Sequence, residues 1–183
     1  MNFSECLTVK LSHDLAGGIG ALASTVDLMN LDPSFVNEAP QMLKQNTDML
    51  MARLRYYRAL FGSETKSISE SLVLDYLKTL GPTIKFSGQI STRLELSLVA
   101  CGMQFVMAGG DILYSNNTLI ASSNNLILNK NIINILSNNQ VLSSDIQTLE
   151  AEWLMQQINE ENHSLKWAHD EKQIKLEITR NKI

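Results

Sequence analysis

The sequence predicts an α+β fold in which an antiparallel helical hairpin precedes an α/β sandwich. The first observation is a stripe of apolar residues spaced three or four apart between Phe3 and Met29. Its members are Leu11, Leu15, Ile19, Leu22, Val26 and Met29. The second observation is a similar stripe that ends at Phe61, just before Gly62. The third is a mixture of helical and alternating patterns in the rest of the chain, which closes with Ile174, Leu176 and Ile178 on one strand face.

The two helices of the hairpin are joined by a turn at Asp32 and Pro33. The second helix is expected from about Ser34 to Phe61, with Pro40 as a kink or an alternative start, and Gly62 is suited to stop it. Helices of similar length with a short connection form an antiparallel pair. Their apolar stripes are wider than one hairpin can cover, so we expect two copies to form a dimeric four-helix bundle.

The sandwich is predicted from residue 64 onwards, so residues 1–63 and 64–183 are expected to be separate domains. The capping-box pattern Ser67–Glu70 predicts a helix to Leu80, and Asn116-Asn117 is typical of a two-residue hairpin turn. Further helices are expected at Arg93–Met107, Leu128–Leu136 and Asp145–Glu160. Strands are expected at Thr83–Ser87, Asp111–Ser115, Thr118–Ser122, Ser164–His169 and Gln173–Thr179. One sheet with helices on one face fits this order.

Composition excludes several classes of protein. Hydrophobic residues make up 44% of the 183 residues, enough for a buried core, so a disordered chain is excluded. A net charge of -4 leaves no excess of cations to neutralise phosphates, so no nucleic-acid partner is expected. Cys6 and Cys101 lie too far apart for metal-ligand spacing. The N-terminus lacks a secretory pattern and no apolar run is long enough to span a bilayer, so we expect a cytoplasmic protein without membrane contact.

His13 is the most informative residue for chemistry. On a helix it points away from the apolar stripe, and Asp14 follows it directly. An exposed imidazole beside a carboxylate keeps a ring nitrogen available to accept a phosphoryl group. A surface histidine without any function is the common alternative. His163 and His169 are six residues apart, but no other ligand lies at convincing spacing, so no metal site is expected.

On the same helix face as His13, the residues that follow it toward the C-terminus have small side chains or none. These residues are Ala16, Gly17, Gly20 and Ser24. Glycine inside a helix costs about 1 kcal/mol relative to alanine, so close approach of another backbone is the physical reason to keep it. We therefore predict that these residues, together with Lys10 and Arg53, form a partner docking surface. In an antiparallel hairpin Arg53 lies about level with His13, where its guanidinium could hold a phosphoryl group; a solvated helix end is the commoner role for such an arginine.

Two segments resemble a known family. The run Leu11-Ser-His-Asp-Leu15 is similar to the phosphoacceptor segment of two-component histidine kinases, and more closely to that of ChpT-type histidine phosphotransferases. The family's second helix ends in an Arg-Leu-x-aromatic-aromatic-Arg-x-x-Phe-Gly pattern, which reads Arg53–Gly62 here. Met107-Ala108 replaces the Pro-Arg expected before Gly109-Gly110, which is a departure. The resemblance implies a helical hairpin followed by a degenerate kinase ATP domain.

The resemblance also implies a function. His13 would receive a phosphoryl group from the receiver domain of a hybrid kinase and pass it to the receiver domain of a response regulator. Asp14 would orient or polarise the imidazole, and His13 would attack through Nε2. The chain would need no cofactor of its own, because Mg²⁺ would come from the acidic pocket of the partner receiver domain. Kinases that also act as phosphatases often carry Thr, Asn or Gln four residues after the histidine, where Gly17 stands here, so little dephosphorylation of the partner is expected.

An ATP-dependent kinase is the less favoured alternative. The chain contains no Asp-x-Gly-x-Gly motif, and the apolar helix at Arg93–Met107 contains no Asn to hold Mg²⁺. Transfer from ATP would then lack electrostatic support. A second alternative is a non-catalytic adaptor, derived from a kinase, that binds receivers or kinases without transferring phosphate.

Overall fold

The computed structural model describes residues 2–62, 68–81, 83–138 and 145–181. Within these ranges the chain forms six α-helices and one five-stranded sheet. The predicted mixture of helices and strands is therefore confirmed. None of the helices in these ranges is long and apolar enough to cross a bilayer.

The first helix, α1, runs from Phe3 to Leu31 and begins with a capping box between Asn2 and Glu5. The chain then forms a 3₁₀ turn at Pro33–Asn37 rather than entering the second helix at Ser34. Helix α2 covers Ala39–Phe61, with Pro40 in its first turn, where the missing N–H has no partner to lose. The alternative start at Pro40 was thus nearer than the start at Ser34.

Helices α1 and α2 pack with their directions opposed. Asp14 contacts Tyr57, and Thr25 contacts Asn46, so residue numbers fall along α2 as they rise along α1. Between these pairs a Cβ on Gly18 would lie 2.7 Å from Cδ1 of Leu50, so a larger residue there would force the Leu50 side chain to shift. The side of α1 that meets α2 is therefore the ridge of Asp14, Gly18 and Thr25, beside the apolar stripe and not along it.

The remaining elements follow the predicted order, with shifted ends. The helices are α3 (Glu70–Leu80), α4 (Arg93–Met103), α5 (Lys130–Asn138) and α6 (Leu149–Glu160). The strands are β1 (Ile84–Ser87), β2 (Gly110–Ser115), β3 (Thr118–Ser122), β4 (His163–His169) and β5 (Gln173–Arg180). Asn116 and Asn117 form the β2–β3 turn with φ of 49° and 62°.

Local hydrogen bonds explain the shifted ends. Helix α4 stops at Met103, short of Met107, because the following N–H groups bond three residues back, Gln104 to Cys101 among them. Helix α6 starts four residues later than expected because Asp145–Thr148 closes a turn of its own. Ser69 caps α3 through the N–H of Leu72, whereas Ser67 of the predicted capping box lies outside the described residues.

The sheet has the order β1-β2-β3-β5-β4, with β1 parallel to β2 and the other pairs antiparallel. Its inner face buries apolar side chains from four strands: Ile84, Phe86, Ile112, Tyr114, Leu119, Ala121, Ile174, Leu176 and Ile178. Helix α4 lies on this face and is buried almost along its length. A Cβ on Gly102 would lie 2.5 Å from the Leu119 side chain, so a glycine lets α4 lie close to β3.

The C-terminal part of α2 shares the core of the sandwich. Tyr56, Tyr57, Ala59 and Leu60 belong to the same buried cluster as the sheet and α4. Tyr56 stacks on Tyr76 of α3 with ring centroids 3.8 Å apart. The end of the helical pair is therefore anchored on the sandwich, which sets the position of α1 relative to α6. The domain boundary between residues 63 and 64 stays a prediction.

Candidate functional site

His13 lies in the middle of α1 on its solvent side. Its side chain is 87% exposed, while that of the neighbouring Asp14 is only 23% exposed. Nδ1 of His13 lies 3.2 Å from Oδ1 of Asp14. Among the described residues, no protein group bonds to Nε2, which faces solvent. The imidazole therefore has one occupied nitrogen and one available nitrogen.

Asp14 decides which nitrogen carries the proton. Partial burial works to raise the pKa of its carboxyl, but hydrogen bonds from Tyr57 and His13 and the charges of Lys10 and Arg53 hold that pKa below its ordinary value. The carboxylate is ionised at neutral pH and can only accept hydrogen bonds. Nδ1 of His13 must then be the donor, so in the neutral ring Nε2 carries the lone pair.

Tyr57 reaches Asp14 from α2. Its hydroxyl donates to Oδ2, the carboxylate oxygen that His13 does not use. Burial, the neighbouring Tyr76 and the bond to Asp14 raise the pKa of Tyr57 far above its ordinary value, so the hydroxyl keeps its proton. Tyr76 of α3 places its own hydroxyl 3.4 Å from that of Tyr57. Neither tyrosine was predicted as a site residue from the sequence, although Tyr57 is one of the paired aromatic residues in the Arg53–Gly62 pattern.

Lys10 lies one turn before Asp14 and points toward α6. Its ammonium nitrogen is 3.3 Å from Oε1 of Glu150, and the two side chains are 17% and 6% exposed. Burial raises the pKa of the Glu150 carboxyl, although the positive charge of Lys10 works to lower it. Oε2 of Glu150 is buried without a hydrogen-bond partner. Contact between Lys10 and a docking partner, which stays a prediction, would require this ion pair to open.

The strip of small residues is open. Ala16, Gly17, Gly20 and Ser24 are all exposed. A Cβ built on Gly17 or Gly20 meets no described atom within 4 Å, in contrast to Gly18, which packs against Leu50. Packing between α1 and α2 therefore explains Gly18 but explains neither Gly17 nor Gly20.

Arg53 is held beside this strip by α3. Its guanidinium donates to Oγ1 of Thr79 at 3.1 Å and to the backbone carbonyl of Thr79 at 3.0 Å. Arg53 also lines a small cavity of about 120 Å³ with Gly17 and Gly18. Its charge contributes to the low pKa of Asp14. Arg53 thus lies beside Gly17 and acts on the charge of Asp14, with two of its five donors used by Thr79. Its contact with a phosphoryl group on His13 stays a prediction.

The other histidines lie on β4, far along the chain from His13. His169 is exposed and stacks on Trp167, and Nδ1 of His163 is buried without a partner. No group of three or more metal-binding side chains occurs in the described ranges. In the part of the chain that the structure describes, neither His163 nor His169 has a hydrogen bond between a ring nitrogen and a carboxylate, as His13 has with Asp14.

Comparison with protein-family models and with curated protein sequences gives no match. Comparison with solved structures finds a bacterial phosphotransferase, determined at 1.7 Å, with a TM-score of 0.76. The sequences are 15% identical, and the superposition covers 97% of this chain and 95% of that one. The chain therefore has a phosphotransferase-like fold over nearly its whole length.

Proposed function

We propose that this protein is a histidine phosphotransferase of a multistep phosphorelay, with His13 as the phosphoryl carrier. The observation that carries the proposal is an exposed Nε2 on a ring whose Nδ1 is held by an ionised carboxylate. The fold shared with a bacterial phosphotransferase supports the class of reaction. The ChpT-type resemblance of the segments at His13 and Arg53–Gly62 supports the donor and acceptor, which would be receiver domains of a hybrid kinase and of a response regulator.

The chemistry follows from the arrangement around His13. The Nε2 lone pair attacks the phosphorus of a receiver's aspartyl phosphate, an N–P bond forms, and the O–P bond breaks with its electron pair leaving on the aspartate. The proton stays on Nδ1, and the positive ring is stabilised by Asp14 at 3.2 Å. Mg²⁺ bound in the receiver's own acidic pocket would neutralise the transferring oxygens. Reversal of the same step delivers the phosphoryl group to the second receiver.

The small-residue strip is proposed as the place where the receiver docks. Ala16, Gly17, Gly20 and Ser24 lie beside His13, and the space above the two glycines is open. A receiver helix could approach α1 closely there and bring its aspartate to Nε2. Arg53, at the edge of the strip, is proposed to contact the phosphoryl group with its unused donors.

A second copy of the chain is proposed to cover the apolar stripe of α1. Ile19 and Val26, which lie on this stripe, are 58% and 46% exposed. The ridge of Asp14, Gly18 and Thr25 faces α2 and Leu11 packs against the core, so the exposed part of the stripe, at Ile19 and Val26, lies on an outer flank of the helical pair. Two such pairs would cover each other's stripes as a four-helix bundle, leaving His13 outside.

The test is phosphorylation of the purified chain with three donors. Potassium phosphoramidate and a receiver domain phosphorylated with acetyl phosphate are expected to leave acid-labile phosphate on His13, whereas labelled Mg-ATP is expected to leave none. His13→Gln should abolish labelling, and His169→Gln, which alters another exposed histidine, should not. Labelling by neither of the first two donors would reject the proposal and favour the adaptor. Labelling by Mg-ATP alone would instead identify a kinase.

A further inference from the structure

The contact between His13 and Asp14 is not one that an α-helix provides by itself. Neighbouring side chains on a helix diverge by about 100° and do not face each other. The terminal torsion of an aspartate is also broad, so its carboxylate turns easily. A carboxylate that holds Nδ1 of the preceding residue at 3.2 Å therefore needs support from outside the helix.

Tyr57 supplies that support. Its hydroxyl binds Oδ2 of Asp14, which leaves Oδ1 for His13. The two oxygens of one carboxylate are thus divided between a buried tyrosine and an exposed histidine. Rotation of the carboxylate would break both hydrogen bonds together.

The tyrosine itself is rigidly placed. Tyr57 is 3% exposed, and its ring stacks on Phe61 and meets Tyr56 and Tyr76 edge to face. The Tyr76 hydroxyl lies within reach to donate to the Tyr57 oxygen, whose own proton goes to Asp14. The helix α1 places the backbone of Asp14, and the buried Tyr57 orients its carboxylate.

We propose that Tyr57 is a positioning residue for phosphoryl transfer, holding Asp14 so that Nδ1 of His13 keeps its proton and Nε2 is the nucleophile. The proposal rests on the function assigned to His13 above. Tyr57 touches neither the phosphoryl group nor the imidazole, and it acts only through Asp14. Loss of its hydroxyl frees the carboxylate to turn and lets the ring proton move to Nε2, where it blocks attack.

The first readout is the tautomer of His13, measured from the ¹⁵N chemical shifts of the neutral ring. The wild type is expected to be in the Nδ1–H form, and Tyr57→Phe is expected to shift the ring toward a mixture. Tyr56→Phe is the matched control, because it removes a hydroxyl from the adjacent buried tyrosine, whose oxygen faces Met103 and not Asp14. In an Asp14→Asn background, Tyr57→Phe should cause no further change. Melting temperatures of all variants show that the fold is kept.

The second readout is the titration of the Asp14 carboxyl by ¹³C NMR. The groups that act on it are Lys10 and His13 on α1, Arg53 and Tyr57 on α2, Tyr76 on α3 and Glu150 on α6. Removal of the Tyr57 hydroxyl should move the titration of Asp14 to higher pH, because a bond to its charged form is lost. Tyr56→Phe should leave the titration of the Asp14 carboxyl unchanged.

The third readout is phosphorylation by potassium phosphoramidate, a donor that needs no docking surface. Nε2 attacks its phosphorus, the P–N bond breaks and ammonia leaves. Tyr57→Phe should lower the rate of attack by Nε2 by roughly 2- to 10-fold, because in a tautomer mixture only a fraction of the rings has Nε2 free, and ³¹P NMR should reveal phosphate on Nδ1 as well as on Nε2. An unchanged tautomer and an unchanged rate in Tyr57→Phe would overturn the proposal. A wild-type chain that accepts no phosphate would overturn the function of His13 instead, and the tautomer measurement would still judge the role of Tyr57.

Discussion

The docking strip makes the sharpest prediction, because helix stability and phosphoryl transfer should change in opposite directions. The perturbation is Gly17→Leu or Gly20→Leu. In each case the new Cβ enters space that is empty to at least 4 Å among the described residues. The substitution should leave the protomer undisturbed and place four carbons where a receiver helix is proposed to pack.

The expected change in Tm follows from helix propensity, and the expected change in transfer rate follows from the docking geometry. Leucine in place of an exposed helical glycine should stabilise α1 by about 0.5–1 kcal/mol, which raises the Tm of a chain of this length by about 1–4 °C. Displacement of the receiver by about 1 Å or more should lower the transfer rate by roughly 10- to 100-fold. Acceptance from potassium phosphoramidate should be unchanged, because that donor does not use the strip.

Two controls separate docking from packing. Gly18→Leu brings a Cβ to 2.7 Å from Leu50, so overpacking should cost about 1–3 kcal/mol and lower the Tm. Thr47→Leu adds an exposed leucine on α2, away from His13, and should leave transfer unchanged. The assay compares the rate of transfer from a phosphorylated receiver domain with the Tm from calorimetry. Wild-type transfer rates in both Gly17→Leu and Gly20→Leu would show that the strip is not the docking surface, and a lower Tm would show that the space is not open.

Three further predictions concern stability and assembly. Lys10→Met should lose about 3–5 kcal/mol by leaving Glu150 buried without its partner, and a double substitution with Glu150→Leu should recover most of that loss in chemical denaturation. The pKa of the Asp14 carboxyl is lower in the folded than in the unfolded chain, so its charge stabilises the fold above the ordinary pKa of an aspartate. This contribution is lost as the pH falls through the folded pKa, and the stability of the wild type should therefore approach that of Asp14→Asn toward acid pH. Val26→Glu should produce a monomeric mass in light scattering with little change in circular dichroism, because Val26 is 46% exposed in one copy. A monomeric wild type at micromolar concentration would rule out the dimer.

Local sequence patterns predicted the secondary structure well where the structure depends on near neighbours. The stripe that predicted α1, the Asn116-Asn117 turn and the alternation in β5 all reflect contacts within a few residues. Element ends were less predictable. Helix α4 stops at Met103 although its apolar pattern continues, because hydrogen bonds three residues back tighten the chain before Gly109. The face of α1 that meets α2 was also shifted, because polar Thr25 and small Gly18 fill a contact that an apolar pattern does not mark.

The candidate site also combines features that local sequence predicts with features that depend on tertiary packing. The sequence by itself determined that His13 points away from the apolar stripe, which follows from the helical period, and that an aspartate is the next residue. Only the tertiary structure decided that Asp14 is held by Tyr57, 43 residues along the chain, and that Lys10 is paired with Glu150 of α6. These contacts depend on how α2 and α6 pack on the core around α4. Such packing is set by many long-range contacts at once, and no local pattern records which side chains they bring within hydrogen-bonding distance.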